Sequence, residues 1–154
     1  MTTTLHNTAT VLDRVREHLD QGQPQKALDV LNRCQDQSPP ADNARAVCLM
    51  RLGRPQLAIP IYRRLLLTSG VIMRQDAPVM FRVNFATALL MTGNLDGTEA
   101  ILTELRHSDD PGAIRLRETI ARWRQSLRPL RRLLAAMGMP PEGAIPLDFP
   151  PGRV

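Results

Sequence analysis

Three stretches decide the fold: VREHLDQGQPQKA at residues 15–27, AVCLMRLGRPQLA at 46–58 and ATALLMTGNLDGT at 86–98. Each centres on a glycine, Gly22, Gly53 or Gly93, set in one apolar frame. Seven residues before the glycine stand Val15, Ala46 and Ala86; five after it, Ala27, Ala58 and Thr98; nine after, Leu31, Tyr62 and Leu102; twelve after, Cys34, Leu65 and Leu105. A glycine between two helical patterns ends one helix where a left-handed residue is needed, and small flanking residues let neighbouring helices approach closely. The frame predicts three helix-turn-helix units.

Working outward, the first unit should run as helices from about Thr10 to Gln21 and from Pro24 to Gln35, closing at Ser38-Pro39-Pro40. The second starts at Asp42 and restarts at Pro55, with a bend near Pro60, which lacks a backbone donor. Extra length between Leu67 and Pro78 carries Val71-Ile72-Met73, an apolar tip that either folds onto the units or is a contact surface. The third unit covers Val79 to Met91 and Leu95 to about Arg106. A further helix opens at Pro111, where Asp109 and Asp110 suit the positive helix end. Its apolar residues Leu116, Ile120, Trp123, Leu127, Leu130, Leu134 and Met137 form one stripe at helical spacing, interrupted at Pro129. From Pro140 on, five prolines in fifteen residues preclude a helix and predict an extended tail.

The chain has 154 residues, which fits a single domain, and aromatic residues make up only 3% of it. The core must therefore be filled by Leu, Ala, Val, Ile and Met, and no β-sheet is expected. The start of the chain has neither a basic cluster nor a long apolar run, so no signal peptide or membrane span is expected and the location is expected to be cytoplasmic. Two cysteines do not make a disulfide framework; Cys34 falls where the frame buries a residue, and both read as reduced structural thiols. The net charge of +5 is unevenly spread: residues 111–139 hold seven arginines and one acid.

The turn glycines, the small residues around them and the apolar residues one and two turns later are similar to the tetratricopeptide repeat family, over about residues 8 to 110. The glycine spacings of 31 and 40 depart from the usual ~34. The resemblance implies an all-α, right-handed α-solenoid. Its single repeat domain, 1–139, would comprise repeats at about 8–40, 41–77 and 78–110 and a basic capping helix at 111–139. An extended proline-rich tail, 140–154, follows.

In that family the concave face is lined by first-helix positions. Projected here, these are Leu12, Arg16, Leu19, Asn43, Val47, Met50, Arg51, Val83, Thr87, Leu90 and Met91, a largely apolar lining suited to an extended or helical peptide. The resemblance thus implies a non-enzymatic adaptor or chaperone that binds a protein or peptide partner whose identity the sequence does not give. A looser similarity is to three-repeat type III secretion chaperones, which hold an apolar client segment. The carboxylate clamp of heat-shock cochaperones is not expected: Leu12, Arg16 and Ala44 stand where lysine and asparagines belong, leaving Asn84.

Two features of the chain itself compete for that face. Ile145-Pro146-Leu147-Asp148-Phe149-Pro150 is apolar and stiffened by proline, so Leu147 and Phe149 are candidates to insert into the face, in the same chain or through self-association; a disordered terminus is the alternative. The basic surface of Arg115, Arg122, Arg124, Arg128, Arg131 and Arg132 reads as the solvated side of a cap. It reads alternatively as a contact for an anionic membrane surface, with nucleic acid disfavoured for want of stacking aromatics. His6, His18 and His107 lie on separate segments in no ligand or nucleophile spacing, so no metal, cofactor or enzymatic activity is expected, and His18 reads as helix packing.

Overall fold

The computed structural model describes residues 2–34, 36–69, 72–74, 76–127, 137 and 145–154, with side chains from residue 10 onward. Among these the fold is all-α: α1 (Thr2–Asp20), α2 (Pro24–Cys34), α3 (Pro39–Arg51), α4 (Pro55–Leu66), α5 (Val79–Met91), α6 (Leu95–Glu104) and α7 (Pro111–Ser126). None of these helices is long and apolar enough to cross a membrane.

All three turn glycines adopt the left-handed conformation, with φ of +68° at Gly22, +72° at Gly53 and +79° at Gly93. The three turns share one hydrogen-bond pattern. Gly53 N–H donates to Met50 C=O and Arg54 N–H to Leu49 C=O, and the same pair of bonds recurs from Gly22 and Gln23 and from Gly93 and Asn94. This double closure satisfies carbonyls that the helix end leaves orphaned, and an L-residue would be strained at its centre. The small residues of the frame are fully buried: Val15, Ala46, Ala86, Ala27, Ala58 and Thr98 all lie in the interior. Thr98 reconciles its hydroxyl with burial by donating to Ala86 C=O across the turn and to Asn94 C=O.

Within each turn the helices pair as α1 with α2, α3 with α4 and α5 with α6. The pairs join through α2 on α3 and α4 on α5, while α1 touches α3, α3 touches α5, and α7 lies on α5. The meeting of α1, α3 and α5 produces the face considered below. Leu116 and Ile120 of α7 are buried, and Trp123 is half-buried against the same core. Helix α7 ends at Ser126, with Leu127 in extended backbone, as expected just ahead of Pro129, whose ring clashes with the carbonyl four residues earlier. Leu130, Leu134, Arg128, Arg131 and Arg132 lie outside the described residues, and Met137 is exposed.

Several expectations are corrected. Helix α1 begins at Thr2 rather than near Thr10, since no glycine or proline in residues 2–9 stops it. Pro39 and Pro40 open α3 instead of closing the first unit: Ser38 caps the helix by accepting from Ala41 N–H, and the first-turn prolines forfeit no intrahelical bond. A small antiparallel hairpin, β1 (Leu67–Thr68) and β2 (Ile72–Met73), follows α4, pairing Leu67 with Met73 and Thr68 with Ile72. The apolar tip is divided by it: Met73 packs on the core and Ile72 stays 67% exposed. Cys34, expected inside, is exposed because it is the last residue of α2, where a side chain has neighbours on one side only.

Cys48 is buried in α3, and that burial, against the opposing pull of Arg51, pushes its thiol up to about 12. At pH 8 a maleimide should therefore label one thiol of the native chain, Cys34, with Cys48 reacting only on unfolding. Two rapidly labelled thiols in the native state would contradict the packing of α3.

Candidate functional site

The face of α1, α3 and α5 is filled by residues 145–154 of the same chain, whose main-chain oxygens from 151 to 154 all accept hydrogen bonds from it. Arg51 Nε and Nη2 donate to Pro151 C=O (3.3 Å) and Gly152 C=O (3.2 Å). Asn43 Nδ2 and Asn84 Nδ2 both donate to Arg153 C=O, at 3.1 and 2.8 Å. Arg16 Nε donates to a main-chain oxygen of Val154 at 3.1 Å. In return Arg153 N–H donates to Asn84 Oδ1 at 3.0 Å. Asn84 thus meets both polar groups of one residue, the way a neighbouring β-strand would.

Helix α5 places Asn84 one turn from Ala88, deep in the chain's most apolar helix, and a bare amide there is costly. The surroundings satisfy it. Asn84 Nδ2 also donates to Asn43 Oδ1 (2.8 Å), which accepts from the Tyr62 hydroxyl as well (3.3 Å). Burial raises the Tyr62 phenol well above its ordinary value, so it remains a donor at any physiological pH. The guanidinium of Arg51 is fixed by Leu19 C=O, which holds its other nitrogens towards the segment. The amide pair and the arginine are therefore held by bonds to the helices as well as by those to the segment.

Two residues of the segment fit the face by shape and charge. Gly152 has φ +75°, and a Cβ there would stand 2.7 Å from Met50 Cε and 2.8 Å from Val47 Cγ2. Met50 ends in a flexible thioether that can yield, but Val47 is β-branched on a helix and cannot. Arg153 Nη2 reaches both carboxylate oxygens of Asp110. Asp110 is also the N-cap of α7, with Oδ1 accepting from Gly112 N–H and Ala113 N–H. Partial burial works against ionisation of this carboxyl, yet the Arg153 hydrogen bond together with those two N–H groups outweighs it and leaves the pKa below the ordinary 3.8. Because the Arg153 side chain is 42% exposed, water screens the pair and its contribution is about 1 kcal/mol.

The sequence-derived residues divide accordingly. Arg16, Asn43 and Arg51 touch the segment's main chain, and Val47 and Met50 pack under Gly152. Leu12, Leu19, Val47, Met50, Val83, Thr87 and Leu90 are buried rather than open to a partner, because helix packing and the docked segment enclose them; Met50 is only 1% exposed. Met91 is half-buried. Within the segment, Leu147 and Phe149 are half-buried and pack against the core, and the fully enclosed residues are Ile145 and Gly152. The sequence places Asp110 at the start of α7, where it is the N-cap, but not on the face; Gly152 and Arg153 have no role in that reading, although a glycine after two prolines is a signal for a special backbone position.

On α7, Arg115 lies over the Phe149 ring at 5.8 Å, Arg122 pairs with Asp148 at 2.9 Å, and Arg124 pairs with Glu99 at 2.8 Å. Arg117 donates to Leu105 C=O. The described arginines of the basic surface are thus turned to partners within the chain. No protein-family model, curated protein or solved structure matches the chain.

Asp110 predicts a pH dependence. A carboxyl whose folded pKa is depressed contributes stability that is complete above its unfolded value and drains away as pH falls through the folded one. The stability difference between the wild type and Asp110→Asn, which keeps a capping oxygen, should be constant from neutrality to about pH 5 and shrink below 3.8. Urea unfolding at a series of pH values measures it; a difference that holds steady to about pH 2.5 would remove the ion pair from the account.

Proposed function

We propose that the chain is a protein-interaction module of the tetratricopeptide kind, a right-handed α-solenoid of three repeats whose concave face takes an extended protein segment. In this reading residues 145–154 hold the site in its resting state, and a partner segment of an adaptor or chaperone client displaces them. The observation that carries it is the grip on main chain. Main-chain oxygens of four consecutive residues and one N–H are met by side chains of Arg16, Asn43, Arg51 and Asn84. Such a grip supplies affinity to any segment with the right backbone path, which is how strand-like peptide recognition works. A structural strap would need only apolar burial, whereas here two amides, Asn43 and Asn84, are buried at some cost and reach out to another piece of backbone.

The three identical glycine turns and the stacking of successive helix pairs support the repeat reading. The intramolecular partners of Arg115, Arg117, Arg122 and Arg124 favour the cap over the membrane reading of the basic helix.

A labelled peptide of residues 145–154 tests the function. A full-length chain carrying Gly152→Ala and Arg153→Gln loses the left-handed glycine and the ion pair, and so releases its own segment. Fluorescence anisotropy should show this released variant binding the peptide at least about tenfold more tightly than the wild type, whose tethered copy competes at an effective concentration near the millimolar range. Adding Asn84→Ala to the released variant should abolish binding. A released variant that folds yet ignores the peptide would refute the reading.

A further inference from the structure

Resting on the reading just given, we propose that the face is selective for a glycine followed by arginine on the segment it accepts, with Asp110 as the residue that reads the arginine. The occupant it fits is a partner protein that presents a Pro-Gly-Arg stretch with its glycine in the left-handed conformation and competes with residues 151–153.

The selectivity follows from three features around one slot. The Asp110 carboxylate receives the guanidinium directly and stays ionised through its hydrogen bonds with Arg153 and with two helix N–H groups. That charge matters because the N-terminal end of α7 is electropositive and would repel a cation on its own. Gly112, the second residue of α7, keeps the approach open. A Cβ built there would stand 2.9 Å from Val83 Cγ1, 3.1 Å from Asp110 Oδ1 and 3.3 Å from Arg153 Nη2. An alanine at this position would narrow the slot from the side on which the guanidinium enters.

One residue earlier, the floor formed by Val47 and Met50 admits backbone without a side chain, and the left-handed turn there aims residue 153 at Asp110. The requirement for glycine and the requirement for arginine are thus coupled through one backbone turn. Arg153 and Gly152 line a cavity of about 200 Å³ together with Val83, Thr87, Gly112 and Arg115, so the slot stays partly open with the arginine seated. A lysine would offer a point charge in place of a planar donor.

Peptides of residues 145–154 separate the possibilities when titrated into the released full-length variant. The parent peptide should bind, the peptide carrying Arg153→Gln should bind about fivefold more weakly, and the one carrying Gly152→Ala about tenfold or more weakly, the sizes expected on losing a water-screened ion pair or a left-handed residue. When Asp110→Asn is added to the protein, the parent and Arg153→Gln peptides should bind within about twofold of each other, because the cap survives and the charge does not. Equal binding of these two peptides to the protein that keeps Asp110, or discrimination that persists once Asp110→Asn is added, overturns the selectivity while leaving the module reading standing. No binding of the parent peptide overturns both.

The same comparison is available in the intact chain without a released host. A double-mutant cycle of Arg153→Gln and Asp110→Asn, read as hydrogen exchange at the residue-153 amide, should show strong coupling; additive effects would contradict the proposal. Light scattering on the wild type closes the remaining route: a monomer is expected, and a dimer that dissociates with Arg153→Gln would overturn the proposal by assigning the face to a second copy of this chain.

Discussion

The reciprocal pairing of the Asn84 amide with the main chain of Arg153 is the constraint around which the rest of the molecule is arranged. A primary amide buried in an apolar helix is tolerable only when its donors and acceptor all find partners. Within the helices Asn43 and Tyr62 supply part of that satisfaction, and residue 153 supplies the remainder. Removing the segment strands Asn84 Oδ1, and that cost favours either the resident segment or a substitute with the same backbone geometry. Occupancy of the face is in this sense built into its core.

The turns make that arrangement possible. Gly22, Gly53 and Gly93 close their helices by the same double hydrogen bond, so α1, α3 and α5 come to one side and Arg16, Asn43, Arg51 and Asn84 converge there. The four come from three helices, and their convergence depends on the small residues Val15, Ala46 and Ala86 that let those helices draw together. Asp110 extends the same logic to α7. One carboxylate caps the helix and holds Arg153, so the helix that covers the third pair also fixes the end of the segment.

Much of the helical order was legible because its causes are local. A left-handed turn demands glycine wherever it falls, and α5 runs from Val79 to Met91 as the glycine frame predicts. The hairpin at 67–73 was not legible, since two residues per strand are too few to establish an alternation. The face was read in outline, with Arg16, Asn43 and Arg51 on it, but its apolar members were taken as open when Met50, Val83 and Leu90 are interior. Weighing the tail by hydrophobic content pointed to Leu147 and Phe149. The residues that fit most closely are Gly152, which has no side chain to weigh, and Arg153, whose partner Asp110 lies 43 positions away. Complementarity of that kind resides in the folded chain and has no sequence-local signature.

The central claim is that Asn84 holds the main chain of residue 153 in solution, and hydrogen exchange at the Arg153 amide tests it most directly. Solution NMR on the intact wild-type chain at neutral pH should find this amide protected by several orders of magnitude relative to a free peptide, with protection lost in Asn84→Ala while the amides of α3 and α5 stay slow. Exchange of the Arg153 amide at the free-peptide rate in the wild type would contradict the account.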